Sequence, residues 1–387
     1  MKNSVAFLLL LLVNSFYAQR IQGVVQTENG SPLSEVNVYL DGTRISVKTN
    51  PDGQFSLDLG GQTEATVVFQ KDHYDMHTAA AKNLLGKTVK VQLMPLQEIE
   101  SVEIIPFTEE AYRQNTGYFL AQFVGEDQEN VKIRNQRSLK FSYDRKNQFL
   151  KVKAPKTLVI ENRRLGYQIH YHLMNFQADL RAHTISYYGT SFFTVISNKP
   201  QIKINRLNAY NGSLQHFMRS VFAGKTASEG FIVNEIRKLD NPKYPSEEEL
   251  QRFRDFWDLN RNAKNITVPE EISDISKRKN QGKYILALTR SKLQEADYTI
   301  RENGKVFLNW PYILQVNYPK KFSELKHRKV VQTGAPVNLS SMIYIEGNRF
   351  QIYPDGNTSD PDLLMVDGDF GNNKIDILLP SDYQPGD

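Results

Sequence analysis

Apolar and polar positions alternate one by one in short segments between residues 20 and 95. In one segment the apolar positions are Val36, Val38 and Leu40, and similar runs occupy 55–59, 67–69 and 89–93. A period of two predicts strands that turn one face towards a core. Residues typical of tight turns separate these runs, namely Asn29-Gly30, Asp41-Gly42 and Asn50-Pro51-Asp52-Gly53. Short strands joined by such turns predict an all-β sandwich.

Residues 96–387 carry a mixed pattern that predicts a larger α+β region. Apolar residues at a spacing of three to four, with capping residues, predict helices at 108–123, 210–222 and 246–257. Alternation predicts strands at 139–143, 150–152, 158–160, 167–173, 284–288, 306–308 and 343–345. Gly224 is the predicted cap of the second helix, and Ser246 with Glu249 has the spacing of a capping box. The polar stretch 262–283 predicts a loop.

The first residues have the order of parts of a signal peptide. Lys2 precedes an apolar run, which is followed by polar residues and by the small residue Ala18. The run is shorter than the roughly 20 residues of a membrane-crossing helix. We expect residues 1–19 to be a cleaved signal peptide and the protein to be periplasmic, associated with the outer membrane, or secreted. No later stretch is apolar enough to predict a transmembrane segment.

The cysteine content and the net charge of the chain bear on its stability and on its partners. The chain contains no cysteine, so an exported form depends on core burial and has no disulfides or lipid-anchoring cysteine. Its 48 lysines and arginines against 43 acidic residues give a formal net charge of +5. Spread over 387 residues, this charge does not predict an anionic partner.

The segment 20–95 also resembles a known family. The resemblance is carried by four stretches, Ile21-Gln22-Gly23-Val24-Val25, Gly30-Ser31-Pro32-Leu33, Val36-Asn37-Val38-Tyr39-Leu40-Asp41-Gly42-Thr43 and Thr49-Asn50-Pro51-Asp52-Gly53-Gln54-Phe55. Together they are similar to the carboxypeptidase-like regulatory domain. The resemblance implies a transthyretin-like sandwich of about seven strands. It also implies the extracytoplasmic setting in which Bacteroidota carry this domain, at the N-termini of outer-membrane receptors and other envelope proteins.

The remainder resembles the C-terminal part of Bacteroidota proteins that carry this domain. The similar stretches are Ile160-Glu161-Asn162, Leu165-Gly166-Tyr167, Ala209-Tyr210-Asn211-Gly212-Ser213, Glu229-Gly230-Phe231 and Leu378-Leu379-Pro380. This second resemblance implies an architecture and no biochemical role.

The histidines do not form the zinc motif of a metallocarboxypeptidase. None of the seven is followed by glutamate three residues later, and no His-Glu pair occurs. His170 and His172 project on the same side of a predicted strand, which is compatible with metal binding. Because the apolar residues of that strand occupy the opposite face, we expect the two histidines on a solvated face and predict no metal site.

Other candidate motifs favour structural explanations. Gly224-Lys225-Thr226 lacks the earlier glycine of a phosphate-binding loop, since position 219 is Arg. Trp257 and Trp310 lie in apolar periodic segments and are expected in the core. The tail aspartates have turn-forming neighbours and lack the spacing of a calcium loop; they are Asp355, Asp360, Asp362, Asp367 and Asp369. Two basic clusters are expected to be solvated, Lys277-Arg278-Lys279 and the group Lys320, Lys321, Lys326, Arg328 and Lys329.

The sequence therefore predicts no catalytic residues, no cofactor and no nucleic-acid partner. The leading hypothesis is a non-enzymatic envelope protein with a binding or scaffold role, whose partner is an outer-membrane or cell-surface protein or a glycan. Two alternatives stay open. One is a hydrolase that acts on peptide or glycan through a site of scattered residues, and the other is an accessory subunit of an outer-membrane receptor assembly.

Overall fold

The computed structural model describes residues 20–96, 105–263, 265–322, 336–345, 349–359, 364–372 and 374–387. The predicted signal peptide, residues 1–19, lies outside this range. Strands make up 39% of the structure and helices 21%, so the chain is strand-rich and contains several sheets. The buried apolar residues form three large clusters, and we describe the chain as three parts, one around each cluster.

The first part, residues 20–96, contains two sheets around one core. Its elements are β1 Arg20–Thr27, β2 Asn37–Leu40, β3 Ser46–Lys48, β4 Gln54–Asp58, β5 Thr66–Gln70, β6 His77–Ala80, α1 Ala81–Leu84 and β7 Thr88–Leu93. The strand orders are β4-β1-β7 and β3-β2-β5-β6. Val25 and Phe55 from one sheet pack in the same cluster as Val38 and Phe69 from the other. Strands thus occupy the positions that the alternation predicted.

The turn 50–53 shows why a glycine follows Asp52. Gly53 has a φ of +72°, and a Cβ at this position would lie 2.3 Å from the carbonyl oxygen of Val25. The Gly53 carbonyl in turn accepts a hydrogen bond from the Val25 amide at 2.8 Å. Only glycine permits both the left-handed φ and this close approach.

The second part comprises residues 105–210 together with the tail 374–387. Its elements are α2 Glu109–Phe123, β8 Val131–Ile133, β9 Lys140–Asp144, β10 Phe149–Lys153, β11 Leu158–Asn162, β12 Tyr167–Asp179, β13 Thr184–Val195 and α3 Pro200–Tyr210. As predicted, Thr108 caps α2, accepting a hydrogen bond from the Ala111 amide at 3.1 Å. One face of β12 is buried, and α2 packs on this sheet through Phe119 and Phe123.

The third part comprises residues 214–372. Its elements are α4 Leu214–Ala223, β14 Ile232–Asp240, α5 Glu247–Leu259, α6 Glu270–Asn280, β15 Tyr284–Arg290, α7 Glu295–Tyr298, β16 Thr299–Glu302, β17 Lys305–Asn309, β18 Ile313–Phe322, β19 Pro336–Tyr344, β20 Arg349–Ile352 and β21 Met365–Gly368. Two sheets have the orders β15-β14-β18-β19-β21 and β16-β17-β20. Helix α4 contributes Phe217, Met218 and Val221 to their common core.

The helix predicted at 210–222 is wrong in its extent, because two helices share this segment. Tyr210 ends α3 and packs in the core of the second part, whereas Phe217 lies in the core of the third part. Between them Gly212 has a φ of +73°, and the Ser213 hydroxyl caps α4 by accepting from the His216 amide. The prediction of Gly224 as the C-terminal cap is confirmed by its left-handed conformation.

Two further predictions for the third part are wrong. The segment 262–283, expected to be a loop, contains α6, whose Ile272 and Ile275 are buried one turn apart. Trp257, expected in the core, is 40% exposed on α5, a helix without any buried residue, although its predicted capping box is present. Trp310 is buried, as expected.

The tail returns from the third part to the second. Ile375, Leu379 and Tyr383 pack in the core of the second part, beside α2 and β12. The buried Asn162 side chain donates hydrogen bonds to the carbonyls of Ile375 and Asp376. Across the described residues, no helix has the length and apolar character needed to cross a membrane.

Candidate functional site

A cavity of about 730 Å³ lies where the three parts meet. The first part contributes Asp41, Gly42 and the loop 60–66, and the third part contributes Leu214 and Met218 of α4. The segment 353–359 and Leu364 complete the wall on the side of the third part, and the tail contributes Ser381 and Gln384. This volume is within the range of small-molecule sites, roughly 300 to 1,000 Å³.

Gly42 joins the first part to the second at the edge of the cavity. Its amide donates to the Ser191 carbonyl at 2.7 Å, and its carbonyl accepts from the Ser381 amide at 2.7 Å. The next residue continues this contact, since the Phe193 amide donates to the Thr43 carbonyl at 2.9 Å. The turn predicted from Asp41-Gly42 therefore has a second role, because its backbone pairs with β13 and with the tail.

Asp41 lines the cavity, and its carboxylate holds the adjacent wall in place. One carboxylate oxygen accepts a hydrogen bond from the Ser191 amide at 2.8 Å. Burial raises the pKa of Asp41 to about 6, because the loss of water disfavours the charged form more than its hydrogen bonds favour it. Asp41 is thus a carboxyl group that takes up a proton near neutral pH.

Arg44 connects the first part to the tail through several bonds. Its backbone amide and its Nε donate to the two carboxylate oxygens of Asp382, each at 3.0 Å. A further guanidinium nitrogen donates to the Asp382 carbonyl at 2.9 Å and lies 2.8 Å from the carboxylate of Asp387. Such charge-assisted bonds in a partly buried setting hold the tail in one place.

Arg219 connects the third part to the tail through three hydrogen bonds. Its guanidinium donates to the Asp355 carbonyl at 2.9 Å and to the carbonyls of Tyr383 and Ser381, each at 2.7 Å. Asp355 and Ser381 both line the cavity. The Arg219 side chain therefore connects two walls of the cavity, the segment that contains Asp355 and the tail that contains Ser381.

The lining has about equal polar and apolar surface, and none of its described residues has a cationic side chain. Hydroxyl and amide groups predominate, contributed by Gln62, Thr63, Thr66, Tyr353, Asn357, Thr358, Ser359, Ser381 and Gln384. Glu64 is paired with Lys82 at 2.7 Å, and Asp355 accepts from the Asn357 amide at 3.0 Å. The Ser381 hydroxyl oxygen is buried and has no hydrogen-bond partner within the described structure. Among the described lining residues the site offers many neutral hydrogen-bonding groups, three carboxylates and no lysine or arginine.

His170 and His172 are not on a solvated face, so that prediction is wrong. The first part covers this face, where Tyr39 packs against Phe192 with ring centroids 4.7 Å apart, and His170 stacks on Phe192 at 4.5 Å. Burial lowers the pKa of both histidines, because it disfavours their charged forms. Within the described residues, no three His, Cys, Asp or Glu side chains are grouped closely enough to hold a metal ion.

The remaining sequence candidates lie apart from one another. Thr226 follows the α4 cap, and its hydroxyl donates to Glu295 at 2.7 Å. Arg278 is paired with Glu249 and Asp274, so this member of its basic cluster is neutralised. Asp369 accepts a hydrogen bond from the Ser340 amide of β19 at 2.9 Å. Five candidates lie outside the described residues: Lys326, Arg328, Lys329, Asp360 and Asp362.

No family model matches the chain, and no curated protein matches it either.

Proposed function

We propose that the chain is an exported binding protein of the bacterial envelope, without catalytic activity of its own. Its ligand is an uncharged, hydroxyl-rich molecule of the oligosaccharide class, bound in the cavity between the three parts. The observation that carries this proposal is the cavity itself, with neutral polar groups from three separate parts around one volume.

The chemistry of the walls supports this class of ligand. An anionic ligand would leave its charge without a cationic side chain, and burial of an unpaired charge is costly. A neutral sugar exchanges its bonds to water for bonds to hydroxyl, amide and carboxylate groups, which are the groups present here. Tyr353 adds an aromatic ring, a side chain on which the apolar face of a sugar can pack.

Export and family are supported by features of the sequence. The first 19 residues have the composition of a signal peptide, and the absence of cysteine is compatible with an oxidising compartment. The seven strands of the first part form two sheets around one core, an arrangement in keeping with a transthyretin-like regulatory domain. Periplasmic, surface-attached and secreted forms would all present the cavity to glycans of the envelope.

The positions of the carboxylates favour binding over hydrolysis. Glycoside hydrolysis requires two carboxyl groups on opposite sides of the scissile bond. Of the three acidic residues that line the cavity within the described structure, Glu64 is paired with Lys82 and Asp355 stabilises its own turn. Asp41 alone has the raised pKa of a general acid, which makes a hydrolase the second candidate.

The proposal is tested with a glycan array that contains neutral and anionic oligosaccharides, followed by mass spectrometry of the bound fraction. We expect selective retention of neutral glycans, recovered intact. Retention of anionic glycans alone, or of none, would contradict the ligand class. Cleaved products that disappear with Asp41→Asn, which keeps the acceptor for the Ser191 amide, would establish the hydrolase instead.

A further inference from the structure

One face of strand β15 carries a strip of apolar side chains that are exposed to solvent. The exposed fractions of Tyr284, Leu286 and Leu288 are 45%, 52% and 58%. Successive residues of a strand point to opposite faces, so these three side chains share one face of the sheet. A contiguous exposed apolar patch with polar residues around it is typical of an interaction site.

Two lysines border this apolar strip. Lys238 of β14 lies opposite Leu286 and therefore on the same face. Its ammonium group lies 4.4 Å from the centroid of the Tyr284 ring, and the ammonium group of Lys283 lies 5.8 Å from the same centroid. Two positive charges thus lie over the aromatic end of the strip.

The end of helix α6 adds positive charge beside these two lysines. The last turn of the helix contains Lys277 and Lys279, both exposed. The Gly282 amide donates to the Lys279 carbonyl at 3.0 Å, and the Asn241 amide donates to the Lys283 carbonyl at 2.9 Å. The helix end is therefore joined directly to the segment in which β14 ends and β15 begins.

The charge of this region has mainly one sign. Residues 275–294 include six cationic residues and no acidic one. Arg278 and Arg290 form ion pairs with carboxylates of neighbouring segments. On the face of the strip, Asp240, opposite Tyr284, is the only acidic residue among those described for β14 and β15. The lysines at 238, 277, 279 and 283 against this one aspartate give a net charge of +3.

We propose that the apolar strip and these four lysines form a surface that binds to a membrane rich in anionic lipids. Leu286 and Leu288 enter the boundary between the headgroups and the acyl chains, and the Tyr284 ring lies at the level of the headgroups. The lysine ammonium groups lie against the lipid phosphates. Apolar side chains combined with lysines hold proteins on the surface of an anionic bilayer without crossing it.

The combination of charge and apolar surface favours a membrane over a soluble polyanion. A nucleic acid or an acidic polysaccharide would neutralise the lysines but would leave Leu286 and Leu288 in water. A bilayer covers these side chains, and removal of apolar surface from water stabilises the bound state. The long apolar stems of the lysines also pack at such a boundary while their ammonium groups stay hydrated.

The first test is cosedimentation of the full chain, expressed with residues 1–19 in place, with lipid vesicles. Vesicles of phosphatidylcholine alone are compared with vesicles that contain about 40% phosphatidylglycerol, an anionic lipid. We expect binding to the anionic vesicles that weakens with added salt, and at least about fivefold weaker binding to the neutral ones. Equal binding to both kinds of vesicle, or to neither, would overturn the proposal.

Charge variants locate the binding surface. Lys283→Glu should weaken binding to the anionic vesicles at least about fivefold, the contribution of one lysine near such a surface. Asp240→Asn removes the opposing charge and should strengthen binding. Since these two effects have opposite directions, a common loss of folding does not explain both. Lys90→Glu, the same change at an exposed position of β7, is the control and should bind as the wild type does. An equal loss in this control, or no gain from Asp240→Asn, would place the binding elsewhere on the protein.

An apolar variant distinguishes a membrane from a soluble polyanion. Leu286→Asn should weaken binding to the anionic vesicles at least about threefold, because it removes apolar surface from the contact. Ile185→Asn, at an exposed apolar position of β13, is the control and should leave binding unchanged. Loss of binding in Lys283→Glu without any loss in Leu286→Asn would show that only charge is recognised, and would overturn the membrane as the partner.

Discussion

Arg44 and Asp382 are joined by three hydrogen bonds although 338 positions separate them in the sequence. Arg44 lies in the first part of the chain and Asp382 in its last six residues. This pair and the Gly42 backbone bonds to Ser191 and Ser381 hold the first part against β13 and the tail. The cavity depends on this junction, because its walls come from elements that share no core.

A double-mutant cycle on Arg44→Ala and Asp382→Ala measures this junction. Both side chains are largely shielded from water, with exposed fractions of 26% and 14%, and their bonds are charge-assisted. We expect a coupling free energy of unfolding of about 1 to 3 kcal/mol by denaturant titration.

The control cycle uses Lys48→Ala and Glu35→Ala, an ion pair of the same first part with side chains 58% and 66% exposed. Exposed pairs of this kind contribute little to stability, because water and salt screen their attraction. An equal or larger coupling in the control cycle would show that Arg44 and Asp382 do not stabilise the junction.

Arg219 is expected to resist even conservative replacement. Its three guanidinium bonds reach three carbonyls on two segments, and a lysine ammonium cannot match their geometry. Arg219→Lys should lower the free energy of unfolding by roughly 2 to 4 kcal/mol. It should also speed proteolysis within the tail 374–387. Arg113→Lys, at an exposed position of α2, serves as the matched control and should change neither quantity.

The raised pKa of Asp41 predicts how the stability of the protein depends on pH. Its pKa rises from 3.8 to about 6 on folding, so the folded state retains a proton that the unfolded state releases between these values. Stability from this group therefore falls as pH rises through that window. Asparagine does not titrate, so Asp41→Asn does not show this fall in stability. Between pH 4 and pH 7 the free energy of unfolding of the variant should gain about 1 to 3 kcal/mol relative to that of the wild type. A difference between the two proteins that stays constant over this range would contradict the raised pKa.

Two substitutions of Tyr167 distinguish the contribution of ring packing to stability from the contribution of the hydroxyl group. Its ring is fully buried under the Arg206 guanidinium, whose central carbon lies 4.0 Å from the ring centroid. Its hydroxyl has no hydrogen-bond partner within the described structure. Tyr167→Phe should leave stability within about 1 kcal/mol of the wild type or raise it, since it removes an unsatisfied polar group. Tyr167→Ala should cost about 3 to 5 kcal/mol. A similar loss from both changes would reveal a missing partner for the hydroxyl.

Local sequence patterns predicted the positions of the strands and helices better than they predicted which side chains are buried. Alternation located β2 and β12, and capping residues located the starts of α2 and α5, because these patterns act between near neighbours in sequence. Helix α6 was missed because its only buried residues, Ile272 and Ile275, stand among charged neighbours. Trp257 was misplaced because α6 covers only part of the apolar stripe of its helix: Lys279 lies over the Phe253 ring, whereas Trp257 is left 40% exposed.

The site could not be predicted from local patterns. Asp41-Gly42 was recognised as a turn, but its contact with Ser191 and Ser381 depends on how the first part packs against the second. The same packing buries the face that carries His170 and His172. Arg219 was recognised only within a helix, and its carbonyl partners are at least 136 positions away. Alternation and capping carry no information over such separations.

The most direct test of the binding cavity is calorimetric titration of the best neutral glycan into variants that fill the space from opposite walls. Thr63→Trp acts from the first part and Thr358→Trp from the third, and Thr184→Trp on β13 is the control outside the cavity. We predict that each cavity variant weakens binding at least tenfold, about 1.4 kcal/mol, and that the control binds as the wild type does. Unchanged affinity in both cavity variants would contradict the account.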